Sequence, residues 1–440
     1  MSKKKLVLMV STKMDANKKG DRDEHALIRM SAKTREGLGF SDSRVELCPI
    51  NEDGKGKPII LSIFQSFQSD LDMLREKVAK GTLTEDKTSC IGFVTTKTFK
   101  YICGGKEKIA DIWISDGISS TVFGTDPEFL LFDRGNGEVI SAQYILDKDG
   151  EMGCDGAMAE VRPQPATTAE MLVENIRRIF EKNANENSAV SKFSWVSTCF
   201  HKDKNRPYPV GGHIHVGNPM QLMEKSAALR GKLYKVMNKI LDEYLALPLV
   251  VLDGPDGAKR REDDGGIGIL KGFGRFGELR TDIGRLEHRT LSGMWLTHPS
   301  LSKIVLGTAK AIIDEIFKKV AEHNYENSYV LPATFAGMSL WSPNFDSWNS
   351  IPLASDMGCT LPSRVMVDVL TKSPSNYMTA ARINELHKKL MNLSTYKDKT
   401  NAKYIDGFCE VLKIKHAEFS KFDKEIQTNW LTKKKFIIEV

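Results

Sequence analysis

Over roughly the first 118 residues, short apolar runs alternate with short amphipathic stretches. Leu6–Val10 and Pro58–Ile63 read as strands, and Asp70–Val78 carries apolar residues at helical spacing. The pattern then changes. From residue 119 to 374, strand-like segments dense in charged residues alternate with amphipathic helices. One helix follows Thr167, whose spacing to Glu170 fits a capping box, and presents Met171, Leu172, Ile176, Ile179 and Phe180 on one side. Two more are predicted, from about Met220 to Leu247 and from about Pro299 to Glu322. From Ser375 onward the pattern is helical and polar, with a Lys-rich close, and no repeat of fixed period runs through the chain. The predicted organisation is an accessory domain of mixed helices and strands over 1–118, a main domain over 119–374 and a helical C-terminal region over 375–440.

Length supports more than one unit, since 440 residues exceed a single compact core. The longest apolar runs, Leu6–Val10 and Leu245–Leu252, are strand-sized and far below the roughly 18 residues of a membrane span. A signal peptide is not expected: the run after Lys3, Lys4 and Lys5 is too short and no small-residue cleavage site follows. A net charge of +6 is modest, and the clusters Lys3–Lys5 and Lys433–Lys435 are shorter than a basic nucleic-acid patch, so they read as solvated tails. Seven scattered cysteines, with no C-x-x-C pair, argue against a disulfide framework and a thiolate zinc site. A cytoplasmic protein with reduced thiols is expected.

The candidate chemistry lies in a recurrent spacing. Strand residues i and i+2 share a face about 7 Å apart. Five strand-like segments place ionisable residues at that interval: Asp126 with Glu128, Glu160 with Arg162, His213 with His215, Glu278 with Arg280, and Arg285 with Glu287 and Arg289. A merely solvated sheet face should mix Lys, Glu, Thr and Ser. These rows hold Asp, Glu, His and Arg and no Lys. Asp, Glu and His without Cys suit hard divalent ions, and Arg suits bidentate work on phosphate or carboxylate. Together the rows point to a floor that holds a polyanion through cations, as phosphoryl transfer from a nucleotide requires.

In this order the rows resemble the glutamine synthetase and glutamate–cysteine ligase superfamily, and more closely its phage-type carboxylate–amine (COOH·NH2) ligases. The motifs are Gly124–Phe129, Asp155–Pro163, Gly211–Gly217, Gly272–Arg280 and Arg285–Ser292. The resemblance implies an α+β fold with a curved antiparallel sheet backed by helices and the site inside the curve. It implies an ATP-dependent amidoligase that activates a carboxylate as an acyl phosphate, which an amine then displaces. By the same resemblance, Glu128 and Glu160 are ligands of an ion near the acceptor substrate, and Asp126, His213 and Glu287 ligands of an ion at the nucleotide phosphates. His215 is expected near the β- and γ-phosphates, Arg275 and Arg280 at the transferred phosphate, Arg285 at the nucleotide and Arg289 at the carboxylate substrate. The implied cofactors are ATP and two or three Mg2+ or Mn2+ ions. Asp126 stands where many relatives have Glu, and the usual further carboxylate is not obvious, with Asp155 and Glu170 as candidates.

An acyl phosphate must meet its amine before water, which calls for a closed site. Residues 259–274, with five glycines and mixed charge, are a lid candidate. Glu262, Asp263 or Asp264, all within that segment, would take the proton of the attacking ammonium. Cys154, His288, Trp295 and Trp341 read as structural, and His201 as solvent-exposed. Competing functions are a zinc hydrolase built on the His213-x-His215 row, a phosphagen-kinase-like phosphotransferase of the same superfamily, and a non-enzymatic phage assembly or nucleic-acid-binding protein. Expected partners are a small-molecule or peptide carboxylate and an amine, with nucleic acid only as a modified-base substrate, no membrane, and a homo-oligomer compatible with the sequence. A phage-encoded chain would work in the host cytoplasm.

Overall fold

The computed structural model describes residues 4–11, 14, 27–38, 44–49, 59–80, 91–103, 109–116, 121–185, 188–203, 206–217, 227–261, 273–282, 285–322, 353, 356–359, 378–432 and 434–438. The chain forms two compact units, Met1–Ser120 and Thr121–Val440. Among the described residues, no helix is long and apolar enough to cross a membrane.

Among the described residues, the first unit has six strands, β1 Lys4–Val10, β2 Leu27–Met30, β3 Arg44–Pro49, β4 Ile59–Gln65, β5 Ile91–Val94 and β6 Ile109–Asp116. Pairing runs β1-β5-β2-β4-β3-β6 and returns to β1, so each strand has two neighbours. Helices α1 Ala32–Leu38, α2 Gln68–Ala79 and α3 Thr96–Cys103 accompany them. Alternation along β1 explains its unbroken apolar run. Leu6, Leu8 and Val10 enter one cluster with Phe99 and Ile102 of α3, while Val7 and Met9 enter another with Leu71, Leu74 and Val78 of α2. A strand covered on both sides has no polar face to show.

The second unit is built on an antiparallel sheet. Its strands are β7 Phe123–Phe132, β8 Val139–Ile140, β9 Met152–Asp155, β10 Met158–Val161, β11 Ser194–Val196, β12 Phe200–Asp203, β13 Arg206–Pro209, β14 Gly212–Gly217, β15 Leu279–Asp282 and β16 Arg285–His288. The main path is β15-β16-β14-β7-β10-β9, with β8 and β11 on the far half of β7, and β12–β13 forms a separate hairpin. The main helices among the described residues are α4 Ala169–Asn183, α5 Ala227–Leu241, α6 Leu247–Asp253, α7 Pro255–Arg261, α8 Pro299–Glu322, α9 Ala380–Met391, α10 Lys399–Lys413 and α11 Ile426–Leu431, with a single turn at His416–Phe419. They bury one face of the sheet. Phe129 of β7 meets Phe180 of α4 edge-on at 6.1 Å, and Phe180 meets Trp430 of α11 at 5.0 Å. Residues from α8, α9 and α10 enter the same cluster, so the polar C-terminal stretch is part of this unit's core. The result is a mixed fold of helices and antiparallel sheet.

Three local expectations are corrected. The α4 cap is Thr168, not Thr167: its hydroxyl accepts from the Met171 N–H, and the Glu170 carboxylate instead accepts from the Tyr404 hydroxyl. Leu245–Leu252, strand-sized in length, is helical, because it continues α5 through a π-helical segment, Asp242–Ala246, into α6. His201 is only partly exposed, packed edge-on to Phe132 at 5.2 Å. Cys154 and Trp295 are buried, as their structural reading requires. Trp341 lies outside the described residues.

Candidate active site

Strand register assembles the rows. His213 of β14 lies opposite Asp126 of β7, and His215 lies opposite Glu287 of β16. Arg280 of β15 faces the same Glu287, and Glu160 of β10 lies opposite Glu128. Directly paired residues share a face, as do i and i+2, so all five rows stand on one side of the sheet. Ile214, Leu286 and His288, which lie between them, turn to the helical side and are fully buried.

The contacts centre on Asp126 and Glu287. His213 Nδ1 is 3.2 Å from Asp126 Oδ1 and 3.8 Å from Glu287 Oε1, and His215 Nε2 is 3.1 Å from Asp126 Oδ2. Ligand atoms of Asp126, His215 and Glu287 all lie within 4.8 Å of one another. His215 therefore offers a nitrogen to this potential metal set, while His213 flanks it. Arg280 Nη1 and Arg289 Nε approach Glu287 at 3.3 and 3.2 Å, and Arg285 Nη1 reaches His215 Nδ1 at 3.5 Å. Arg289 Nη1 also pairs with Glu278 at 3.0 Å. Further along the face, Glu128 Oε2 accepts the Gly211 N–H at 2.6 Å, and Glu160 pairs with Arg162.

This set fits a divalent cation. Asp126 Oδ1 and His215 Nε2 are buried and, despite the short approaches, make no well-aligned hydrogen bond. A cation held by Asp126, His215 and Glu287 would satisfy both, since carboxylates and imidazole are ligands of divalent ions. The electrostatics agree. Burial pushes the Glu128 carboxyl up, against the opposing pull of His213 and the Gly211 N–H. Burial and then the Asp126 charge push Glu160 up to about 8. Burial also works against the Asp126 anion, but the two imidazoles outweigh it and hold its carboxyl below the usual range. His213 is raised in turn, because Asp126 outweighs the opposing effect of burial. Acids crowded at this density are stabilised by added positive charge.

The other predicted residues fall variously. Arg275 occupies the turn before β15, its Nε donating to the Arg261 carbonyl at 3.4 Å. Of the two candidate extra carboxylates, Asp155 shares the Glu160 face of the β9–β10 pair and acts electrostatically on Glu128 and Glu160. Glu170 does not join them, because it sits on α4 bound to Tyr404. Glu262, Asp263 and Asp264 lie outside the described residues. At the start of the lid candidate, Arg260 and Arg261 depart from a surface-loop reading. Both are buried in α7, where Arg260 donates to the Thr290 and Leu291 carbonyls and Arg261 to the Gly274 carbonyl. Sequence reasoning missed these two because adjacent arginines at a helix end ordinarily face water. It also missed the role of Glu278, which accepts the Gly274 and Arg275 N–H groups while pairing with Arg289.

Residues 123–340 match the family described as Phage phiEco32-like COOH.NH2 ligase-type 2. The matched segment holds every one of the five rows. No curated protein matches the chain. Among solved structures, a bifunctional glutathione synthetase from Pasteurella multocida is similar at 11% identity and a TM-score of 0.31 over 66% of this chain. The match covers 52% of that structure, so the chain spans about half its length.

Proposed function

We propose that the second unit is an ATP-dependent carboxylate–amine ligase working through an acyl phosphate. The observation that carries this reading is the Asp126–His215–Glu287 set ringed by Arg280, Arg285 and Arg289 on one sheet face. A zinc hydrolase would use the same acids and imidazoles but leaves the arginines without a task. When bound, divalent ions would neutralise phosphate oxygens and polarise the transferring group.

The protein's own groups have separable roles. Arg289, held between Glu278 and Glu287, presents a guanidinium whose direction is fixed on two sides, as suits a planar carboxylate. Arg280, with its side chain 62% exposed, is placed to move onto phosphate oxygens as charge develops. Arg285 beside His215 takes the nucleotide side of the set, and Arg275, on the turn before β15, joins Arg280 at the transferred phosphate. In the first step a carboxylate oxygen attacks the terminal phosphorus, the bond to the bridging oxygen breaks, and ADP leaves. In the second, the amine nitrogen attacks the acyl carbon, the carbon–oxygen bond to phosphate breaks, and a base, for which Asp264 is the candidate, takes the proton.

The test is ADP release from the full chain against pools of carboxylates and amines, with the product read by mass. Release is expected only with Mg2+ or Mn2+, ATP, carboxylate and amine together. Hydrolysis without nucleotide, or a phosphoryl-guanidine product with no amide, would replace this reading. Arg289→Ala is expected to raise the KM for the carboxylate about tenfold or more while changing the KM for ATP less. Equal effects on both would remove its assigned role.

Metal binding should also depend on pH. With the Glu160 carboxyl pushed up to about 8, the metal-free protein carries a proton there at neutral pH, and a cation using this carboxylate must displace it. Affinity is therefore expected to rise with pH up to about 8 and then level off, by at most about tenfold per pH unit. Calorimetry at pH 7 in buffers of different ionisation enthalpy should show proton release, smaller in Glu160→Gln, where only the imidazole contribution is left. A pH-independent affinity from 6 to 8 would refute the assignment.

A further inference from the structure

The helical side of the sheet is apolar almost throughout, as Phe129, Leu131, Ile214, Val216 and Leu286 show. Behind β15 and β16 it is not. The buried Asp242 carboxylate, at the start of the π-helical segment, takes a 2.9 Å contact from His288 Nε2 on Oδ1 and accepts the Gly277 N–H on Oδ2 at 2.6 Å. One turn earlier in α5, Asn238 Nδ2 reaches the Glu278 carbonyl at 3.5 Å. Lys239, also buried, lies within the field of Asp242, whose charge opposes the effect of burial on its ammonium.

Such a group is costly to keep. Buried ion pairs often give no more stability than apolar residues of the same volume, and what they supply is direction. The directions here are specific. His288 stands between Glu287 and Arg289, so holding its ring holds the middle of that row. Gly277 closes the turn that carries Arg275 and feeds β15, where Arg280 sits. One carboxylate thereby joins the two segments that supply every arginine of the ring.

We propose that Asp242 is a positioning residue: by bonding His288 and the Gly277 N–H together, it sets the placement of Arg280 and Arg289 for a nucleotide phosphate. The inference rests on the functional reading above. The test uses the full chain and two probes, Mn2+ alone, read by water-proton relaxation, and Mn2+·ADP, read by displacement of a fluorescent nucleotide. Asp242→Ala is expected to weaken Mn2+·ADP about tenfold, the scale of a sub-ångström misplacement, with Mn2+ alone within about twofold. Asp242→Asn, which keeps an oxygen for Gly277, is expected to restore most of the loss. His288→Leu, which leaves the Gly277 bond in place, is expected to fall between them.

Unchanged Mn2+·ADP binding in Asp242→Ala overturns the proposal. So does a loss of both probes in parallel, which would make the pair a general support of the fold. A His288→Leu loss as large as that of Asp242→Ala would assign the effect to packing around the ring and overturns it as well. A native chain that binds Mn2+ but not Mn2+·ADP would instead defeat the functional reading, and this inference with it.

Discussion

Glu287→Gln is expected to lower metal-dependent nucleotide turnover by about 10³-fold, the upper end of what losing one charge-stabilising group usually costs. The size follows from its position. Glu287 is 2% exposed and meets three groups at once, with His213 and Arg289 on Oε1 and Arg280 on Oε2. It also supplies one ligand atom of the Asp126–His215–Glu287 set. An amide of the same shape keeps the packing but loses the charge, and its NH2 would point a donor at donors. The fold should survive. Arg280 can turn to solvent, Arg289 keeps Glu278, and Asp126 still faces both imidazoles. The measurements are ADP release, Mn2+ binding by relaxation, and thermal unfolding. Turnover within tenfold of the native protein would remove the metal assignment; lost turnover with a large drop in unfolding temperature would make Glu287 a structural residue.

How much of this site was legible in the chain follows from which of its features are periodic. Asp126 with Glu128, His213 with His215, and Arg285, Glu287 and Arg289 share a face because a strand repeats every two residues, a property readable without any structure. The order of the strands is not. β14 sits between β7 and β16, so the contact of His213 and His215 with Asp126 depends on pairings 87 to 89 residues apart in sequence, set by the helices packed behind. The same holds for Asp155 over Glu170: both lie near the Glu160 row in sequence, but one extends the sheet and the other starts a helix. The apolar run Leu245–Leu252 carries no polar residue to mark its period, so strand and helix look alike there. Arg260 and Arg261 show the limit in another way. Their partners are mostly backbone carbonyls of residues 13 to 31 positions later, and carbonyls leave no trace in sequence.

Two adjacent glycines separate the site from its scaffold, and exchanging each for alanine is expected to give opposite phenotypes. Gly211 and Gly212 lead into β14 and face opposite sides of the sheet. A Cβ on Gly211 would lie 2.5 Å from His213 Nε2 and 3.2 Å from Glu128 Oε2. Those atoms end side chains that can swing away, so Gly211→Ala should fold normally while displacing His213 from Asp126 and Glu287. The expected result is about a 10²-fold loss of turnover, the usual cost of a misplacement near 1 Å, with an unfolding temperature close to native. A Cβ on Gly212 would instead lie 2.3 Å from the Ser292 carbonyl oxygen and 2.4 Å from Trp295 Nε1, which already donates to the Gly212 carbonyl at 3.1 Å. Backbone and a fully buried indole cannot yield cheaply, so Gly212→Ala should cost about 1–3 kcal/mol or more in stability. Turnover per folded molecule should fall less than in Gly211→Ala. Calorimetric unfolding beside turnover of both variants decides the matter. If Gly211→Ala unfolds early and Gly212→Ala does not, the acidic face is the packed side of the sheet, and the site has been placed on the wrong surface.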